Sequence, residues 1–333
     1  MSAVATGIGS MPGTDIREAV RVVLGELPDL PHLPELPARG AIGGLTGRAA
    51  ALVAELGFDL QPAGWRLTGG SASTAGIDHR RARSLLAEDL DALEELAEGY
   101  AGELKLQVAG PWTLAATVER PRGDRVLADV GARRELAQAL AEGIGAHVAD
   151  VRRRLPDARL LVQVDEPALP AVLAGSVPTA SGFHRHRSVD VPLASEALEW
   201  AFAAVTGAGA VPLAHCCAAD VPVALLRGAG ATAVSVDLLA LGAEAYDALG
   251  AALDGGDRVL LGVVPATEPA RSPDERAVVD RTLRFLDMLG LDPDEVADRL
   301  VLTPSCGLAG ASADYARRAL ALARTSAARL VRG

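Results

Sequence analysis

Short apolar runs rich in Val, Leu and Ile alternate along the chain with longer stretches in which apolar residues recur at helical spacing among Arg, Glu and Asp. The short runs predict β-strands, and the longer stretches predict amphipathic α-helices. Eight strands are predicted, over residues 4–10, 65–68, 104–109, 160–165, 211–217, 231–238, 259–264 and 300–306. Nine helices are predicted, over residues 14–27, 46–56, 82–100, 132–155, 194–206, 222–229, 243–253, 274–289 and 312–330.

The order of these elements, a strand followed by a helix, is typical of a parallel sheet covered by helices. Eight repeats predict an α/β fold of the (β/α)8 TIM-barrel type, with a doubly wound open sheet as the alternative. No G-x-G-x-x-G pattern stands between the first strand and a helix, and no Walker A pattern occurs. A dinucleotide-binding sheet and a P-loop enzyme therefore lack support.

Two long segments depart from this alternation. Residues 28–44 are rich in Pro and Gly and predict an irregular excursion, and residues 170–192 contain the sequence SGFHRHRS. Loops of this length inside a compact domain usually serve as lids or binding loops. His184 and His186 belong either to a solvated basic loop or to a lid that contacts an anionic donor. Since no low-complexity linker divides the chain, we expect a single barrel domain over residues 1–333 with elaborated loops.

Composition argues against several classes of function. Asp and Glu outnumber Lys and Arg by 43 to 32, which gives a formal net charge of −11. This balance argues against nucleic acid and anionic membrane surfaces as partners, since both attract basic faces. The first residues resemble no signal peptide, and no apolar stretch is long enough to span a bilayer. Three cysteines are too few for a disulfide framework, so we expect a cytoplasmic protein with reduced thiols.

Side chains alternate across each predicted strand, and the apolar face must point outward to the covering helices. The polar face then points into the barrel and carries Gln107, Gln163, Asp165, His215, Cys217, Ser235 and Asp237. Several of these residues end their strands, where barrel enzymes carry their catalytic groups. Lys105 is the only lysine and hence the only candidate for Schiff-base chemistry, but it stands near the start of its strand. We therefore expect Lys105 at the end of the barrel opposite to the chemistry.

The three cysteines fall in two places, HCC at 215–217 and TPSCGL at 303–308. His215 and Cys217 are two residues apart on a strand and so point to the same side. Cys306 ends the last strand, Asp237 ends the strand that follows His215, and barrel closure brings such ends around one mouth. Imidazole, two thiolates and a carboxylate favour zinc. The alternative is that the cysteines are small buried residues and that His215 is a hydrogen-bonded core histidine.

A zinc ion with two thiolate ligands favours a particular chemistry. A catalytic zinc keeps an exchangeable position, and a substrate thiol that enters it loses its proton. Thiolate and carboxylate ligands keep the net charge of the complex low, so the bound sulfur stays electron-rich. We therefore expect S-alkyl transfer rather than hydrolysis.

Six short motifs resemble the catalytic barrel of the cobalamin-independent methionine synthase family, within the uroporphyrinogen decarboxylase/methionine synthase superfamily. They are GIGSMP at 7–12, GPWT at 110–113, VDEPAL at 164–169, HCC at 215–217, VSVD at 234–237 and TPSCGL at 303–308. The resemblance implies a zinc-dependent methyltransferase that converts homocysteine to methionine. It implies His215, Cys217 and Cys306 as zinc ligands, with Asp237 at the position where the family has a glutamate.

The same resemblance implies a homocysteine site. Ser10, in the element formed by Ile8, Gly9 and Ser10, matches the residue that holds the homocysteine carboxylate, and Asp165 matches the partner of its amino group. An inward carboxylate at the barrel rim is a good acceptor for an ammonium group, which agrees with this role. Trp112, which follows Gly-Pro at a strand end, is either a wall of the substrate pocket or a packing residue.

The chain departs from the family pattern in two respects. The family often has a histidine after the seventh strand, proposed to relay a proton, whereas residues 262–269 read GVVPATEP and offer only Thr267 and Glu268. The full-length enzyme of the family also carries a second, N-terminal barrel that helps to hold folate. A single barrel resembles the short form of the family, for which the methyl donor is either 5-methyltetrahydrofolate or a methylated corrinoid protein.

Three other functions remain open at this point. One is another zinc-dependent thiol alkyltransferase. The second is a uroporphyrinogen-decarboxylase-like enzyme, but that chemistry needs no metal and many cations, so the cysteine cluster argues against it. The third is a non-catalytic protein that handles zinc or a corrinoid, which the missing histidine suggests.

Overall fold

The computed structural model describes residues 3–70 and 76–330. These residues form nine strands: β1 Val4–Ala5, β2 Phe58–Gln61, β3 Gly64–Leu67, β4 Glu103–Ala109, β5 Arg159–Asp165, β6 Val211–Cys216, β7 Ala233–Val236, β8 Arg258–Val264 and β9 Leu300–Pro304. Seven of the nine form one parallel sheet in the order β1-β9-β8-β7-β6-β5-β4. The curled parallel sheet confirms the predicted α/β barrel class.

The nine predicted helices are present with shifted ends, together with three short helices that the periodicity did not predict, Pro111–Thr117, Leu169–Leu173 and Pro293–Val296. The described helices are α1 Ile16–Glu26, α2 Leu45–Leu52, α3 Ile77–Leu96, α4 Pro111–Thr117, α5 Val130–Arg154, α6 Leu169–Leu173, α7 Val191–Gly207, α8 Val223–Gly228, α9 Glu244–Asp254, α10 Glu275–Leu289, α11 Pro293–Val296 and α12 Ala313–Leu330. Asp15, Asp129 and Asp274 start α1, α5 and α10, because their carboxylates accept hydrogen bonds from backbone N–H groups of the first turn. Within residues 3–70 and 76–330, no helix combines the length and the apolar character needed to cross a membrane.

The eighth position of the ring is taken by residues 31–35, which lie between β1 and β4. Leu33 N donates to Lys105 O at 2.9 Å, and Lys105 N donates to Pro31 O at 2.9 Å. On the opposite side, Glu35 N donates to Gly9 O at 3.1 Å, just beyond the end of β1. The segment therefore completes a ring of eight parallel chain segments.

Two of the strand and loop predictions are corrected by this arrangement. The prediction that residues 65–68 form a barrel strand is wrong, because β2 and β3 pair antiparallel in a separate hairpin, with Phe58 opposite Leu67. The prediction that residues 28–44 form an irregular excursion is wrong for residues 31–35, which complete the ring. Pro31 and Pro34 lack an N–H group and interrupt the apolar pattern, so the segment does not read as a strand.

The interior of the barrel is apolar at one end and polar at the other. Gln163, His215 and Ser235 each stand two residues after an apolar interior residue of the same strand, so they face the interior one layer nearer the C-terminal strand ends. The main hydrophobic core lies outside the ring, between the sheet and the helices. The polar groups therefore gather at the mouth formed by the C-terminal strand ends. The apolar layer consists of Leu30, Leu161, Leu213, Ala233, Leu260 and Val301.

Candidate metal centre and substrate site

The structure brings His215, Cys217 and Cys306 together at the mouth of the barrel. His215 lies near the end of β6, Cys217 directly follows that strand, and Cys306 lies in the turn after β9. One ligand atom from each of the three residues lies within 4.8 Å of those of the other two. His215 is buried, whereas the two cysteines are partly exposed. A cation held by these groups would therefore be reached from the mouth.

Ser235 on β7 orients the imidazole of His215. The distance between His215 Nδ1 and Ser235 Oγ is 3.0 Å, so this ring nitrogen is engaged by a hydrogen bond. The other nitrogen, Nε2, is left for the cluster with the cysteines. Histidine ligands of metals are commonly held by such a second contact, which fixes the tautomer and the ring orientation.

The two thiols act on each other. The hydrogen bond between Cys217 and Cys306 raises the pKa of the Cys217 thiol, and burial raises it further. The same hydrogen bond, together with one from His215, lowers the pKa of Cys306 to about 4. The pair therefore concentrates negative charge beside an imidazole. One nitrogen and two sulfur donors at this spacing fit a zinc ion.

Cys216 does not belong to this cluster. Its side chain is fully buried in the main hydrophobic core, on the face of β6 that packs against the helices. The alternation of side chains along β6 thus separates two adjacent cysteines, one for the mouth and one for the core.

Asp237 lies beside the cluster but outside the group of three. Its Oδ1 accepts a hydrogen bond from Leu239 N at 2.9 Å, so the carboxylate caps the turn that follows β7. Burial raises the pKa of this carboxyl, and the negative charge of Cys306 raises it as well. Asp237 is thus close enough to Cys306 to sense its charge.

Asp165 ends β5 directly beside His215 in the register of the sheet. Its side chain is buried, and Gln163 Nε2 donates to its Oδ1 at 2.7 Å. Burial raises the pKa of Asp165 to about 7, while the neighbouring His215 and Lys105 act in the opposite direction. A buried carboxylate beside the metal ligands is available to a cationic group of a ligand.

Ser10, in the segment after β1, lies beside the turn that follows β9. The Ser10 carbonyl accepts a hydrogen bond from Leu308 N at 2.8 Å. The Ser10 hydroxyl lies against Gly307, where a Cβ atom would come within 2.0 Å of Ser10 Oγ. Only a glycine at position 307 leaves room for this approach, which places Ser10 next to the turn that carries Cys306.

Sequence reasoning did not identify Glu35 as a site residue. Its side chain is buried, burial raises its pKa, and its Oε1 forms an ion pair with Arg48 Nε at 3.4 Å. Glu35 lies on the segment that completes the ring, and its negative charge acts on both Asp165 and Lys105. The only sequence feature that could have indicated it is the single acidic residue in LPELP, residues 33–37. That residue becomes a candidate only when the segment is known to be part of the barrel.

The expectation that Lys105 lies away from the chemistry is wrong. Lys105 Nζ donates to Ile8 O at 2.8 Å and to Gln107 Oε1 at 3.2 Å. Burial lowers its pKa to about 8, while Asp165 and Glu35 act to raise it. The backbone of Lys105 lies near the N-terminal end of β4, but its four-carbon side chain extends toward the mouth.

Glu166 and Trp112 connect the end of β5 to the helices outside the ring. Glu166 accepts hydrogen bonds from Trp112 N at 2.9 Å and from both Thr113 N and Thr113 Oγ1 at 2.8 Å, which anchors the start of α4. The Trp112 indole donates to Ala194 O at 3.0 Å on the neighbouring α7. Its ring therefore packs between α4 and α7 and does not lie at the cluster. This agrees with Trp112 as a packing residue.

The remaining candidates are not among the three clustered donors. Thr267 is exposed, and Glu268 accepts hydrogen bonds from Ser312, just before α12, and from Arg318 within α12, at 3.0 Å each. His184 is exposed, whereas His186 is buried with its Nε2 3.2 Å from Asp124 Oδ1. This contact joins the loop after α6 to the loop after α4.

The fold and the site define an α/β barrel whose mouth carries three side chains that could hold a metal ion, next to a buried carboxylate. Residues 105–329 match the family model described as cobalamin-independent synthase, catalytic domain. That match spans more than half of the chain, so the chain belongs to the cobalamin-independent methionine synthase family and is a methyltransferase. The matched stretch includes the cluster and Asp165.

The comparison with solved structures agrees on the fold. A B12-independent methionine synthase from Shewanella sp. W3-18-1, in complex with selenomethionine, is similar to this chain with a TM-score of 0.62 at 13% sequence identity, over 100% of this chain and 98% of that chain. An oxaloacetate acetylhydrolase in complex with its product oxalate gives a TM-score of 0.41 at 11% identity, over 94% of this chain and 78% of that chain. A sequence comparison with curated proteins finds no match.

Proposed function

We propose that the protein is a zinc-dependent methyltransferase that methylates the thiol of homocysteine to give methionine. The observation that carries the proposal is the cluster of His215, Cys217 and Cys306, which adjoins the buried carboxylate of Asp165. His215, Cys217 and Cys306 would hold the ion, with Asp237 as the proposed fourth ligand. Zinc held there supplies a Lewis acid that stabilises the thiolate form of a substrate thiol at neutral pH.

The residues around the cluster fit the other end of homocysteine. Asp165 offers a buried carboxylate to the amino group, and Glu35, whose Oε1 is paired with Arg48 Nε at 3.4 Å, adds a second buried negative charge nearby. Charge-assisted hydrogen bonds of this kind are about twice as strong as neutral ones. Ser10 is the proposed contact for the substrate carboxylate. Since Ser10 lies beside the turn of Cys306, the thiol and the carboxylate of one small amino acid reach neighbouring groups.

The methyl donor is proposed to be 5-methyltetrahydrofolate or a methylated corrinoid protein. A donor would reach the cluster from the mouth, where Cys217 and Cys306 are partly exposed. Thr267 is exposed and Glu268 is held by Arg318, so we infer that a proton needed by the leaving group comes from solvent. Methyl transfer then needs only that the donor methyl carbon meets the homocysteine sulfur in line.

The test is the formation of methionine by the purified, zinc-loaded protein, measured by mass spectrometry. Homocysteine is supplied with 5-methyltetrahydrofolate, as mono- and triglutamate, or with a corrinoid protein that carries a methyl group. The Asp165→Asn variant is the matched loss-of-charge control, since it keeps size and shape. We expect methionine from one of the donors and strongly reduced turnover in the variant. No methionine from either donor would contradict the proposal.

A further inference from the structure

Lys105 takes no part in the chemistry described above, yet it is the only lysine of the chain. Its side chain has no exposed surface. A buried ammonium group is costly unless hydrogen bonds and opposite charges compensate for the lost water. We therefore looked to the groups that Lys105 contacts inside the barrel for the reason that a lysine stands there.

The ammonium of Lys105 holds one backbone carbonyl together with a second side chain. Lys105 Nζ donates to Ile8 O at 2.8 Å, and Gln163 Nε2 donates to the same oxygen at 2.8 Å. Lys105 belongs to β4 and Gln163 to β5, so two neighbouring strands hold the carbonyl of Ile8 across the interior. The chain just beyond β1 is thereby tied to the strands two and three positions away in the ring.

The residues after Ile8 are fixed by the same set of contacts. Gly9 packs directly on Gln107, because a Cβ atom at position 9 would lie 2.8 Å from Gln107 Cγ. Gln107 Oε1 in turn accepts from Lys105 Nζ at 3.2 Å. The stretch from Ile8 to Ser10 is thus supported from within the barrel by Lys105 and by the glutamine beside it.

The charge of Lys105 favours an anion at this stretch. Burial lowers its pKa to about 8, whereas Asp165 and Glu35 act to raise it, so the group keeps its proton at neutral pH. The two carboxylates offset the cost of burying the cation. A positive charge below the Ile8 carbonyl complements a ligand carboxylate that arrives at Ser10 from the mouth.

We propose that Lys105 is a positioning residue that holds the Ile8 carbonyl and so fixes Ile8, Gly9 and Ser10 in the form that receives the carboxylate of the amino-acid substrate. The inference rests on the proposed function, since it concerns the binding of homocysteine. Lys105 acts through the backbone of β1 and does not itself touch the reacting atoms.

The test compares two thiols that differ only in the carboxylate, homocysteine and 3-aminopropane-1-thiol, with zinc-loaded protein in a calorimetric titration. In Lys105→Met we expect the Kd of homocysteine to rise about tenfold or more, as for loss of a hydrogen bond to a charged group. The Kd of the carboxylate-free thiol rises less or falls, because Lys105 is a cation that competes with its ammonium group for Asp165 and Glu35. Leu161→Met is the control, because Leu161 is the register partner of Lys105 on β5 and the change places methionine in the same interior without removing a charge.

A second measurement does not depend on the folding of the variant. Because the chain has one lysine, wild-type protein labelled with ¹⁵N-lysine gives one lysine side-chain NMR signal. We expect homocysteine to shift this signal clearly more than the carboxylate-free thiol, whose ammonium group acts on Lys105 only through Asp165 and Glu35.

Equal weakening of both thiols in Lys105→Met, or unchanged binding of both, would overturn the inference while leaving the proposed function intact. So would an NMR signal that responds equally to both thiols. A wild-type protein that binds neither thiol would overturn the proposed function, and the inference with it.

Discussion

Ser10 and Gly307 meet where the first strand approaches the turn after the last strand, so closely that a Cβ atom at position 307 would lie 2.0 Å from Ser10 Oγ. The neighbouring Leu308 N donates to Ser10 O at 2.8 Å, which fixes the two segments together. The contact joins the proposed carboxylate contact to the turn that carries Cys306. The binding of both the carboxylate and the thiol of homocysteine would therefore depend on this contact between Ser10 and Gly307.

The first prediction concerns this junction. Gly307→Ala forces the Ser10 side chain away from its position, so we expect the KM for homocysteine to rise roughly tenfold with a smaller change in kcat, since a binding contact is lost. Gly310→Ala is the matched control, because a Cβ atom there would meet nothing within 4 Å. Steady-state kinetics of both variants measure the effect. Equal KM values in the two variants would argue against the role of Ser10.

The second prediction concerns the three donors of the cluster. His215→Ala, Cys217→Ala and Cys306→Ala should each lose the zinc that the wild type holds at about one ion per chain, because each change removes one of the nitrogen and sulfur donors that zinc prefers. Cys216→Ala should keep it, since the Cys216 side chain lies in the core on the other face of β6. Metal analysis of the purified proteins measures the zinc content of each variant. Full zinc content in all three ligand variants would reject the site.

The third prediction concerns the carboxylate beside the cluster. Asp237 is the proposed fourth ligand, for which its carboxylate must leave the hydrogen bond to Leu239 N. Asp237→Ala should then weaken zinc binding by roughly 10–100-fold, the range for groups that support or complete a metal site. Asp220→Ala, an exposed acid in the loop after β6, should have no effect. Competition with a chelator of known affinity provides the measurement. Equal zinc affinity in both variants would remove Asp237 from the ligand set.

The fourth prediction concerns stability at acid pH. Burial lowers the pKa of His147 on α5 from 6.5 to about 4, and the charge of Arg48 adds to this. As pH falls below 6.5, the unfolded chain binds a proton at His147 that the folded protein does not take until about pH 4. The stability contributed by the neutral ring is therefore present above pH 6.5 and lost toward pH 4, by about 3 kcal/mol at most.

Urea unfolding between pH 7 and pH 4 measures this contribution. His147→Gln should flatten the fall of the unfolding free energy in that window, since glutamine does not titrate. His184→Gln, at an exposed position, should leave the fall unchanged. A fall of the same size in His147→Gln and in the wild type would contradict the assignment.

The sequence was sufficient for the class of fold and for the relation of the three metal donors. Strands that alternate with helices allow few arrangements, and a strand buried on both faces reveals its inward residues by their polarity. His215, Cys217 and Cys306 could be grouped because each stands at or near a strand end, and such ends converge in a closed barrel.

Two features could not be read from the sequence for a physical reason. Residues 31–35 carry prolines that remove ladder hydrogen bonds, so their place in the ring depends on contacts with Gly9 and Lys105 that are remote in sequence. The role of Lys105 depends on the reach of its side chain, because a long aliphatic stem moves the charge far from the Cα atom. Glu35 was missed together with the segment that carries it. That residues 1–333 form one domain stays a prediction.

The central claim is that a zinc ion held by His215, Cys217 and Cys306 is the place where a substrate thiol binds. X-ray absorption at the zinc edge, recorded on the zinc-loaded protein before and after addition of homocysteine, tests it most directly. The account predicts two sulfur neighbours at about 2.3 Å and a nitrogen at about 2.0 Å in the free protein, and a third sulfur with homocysteine. A spectrum without sulfur neighbours, or one that homocysteine leaves unchanged, would contradict it.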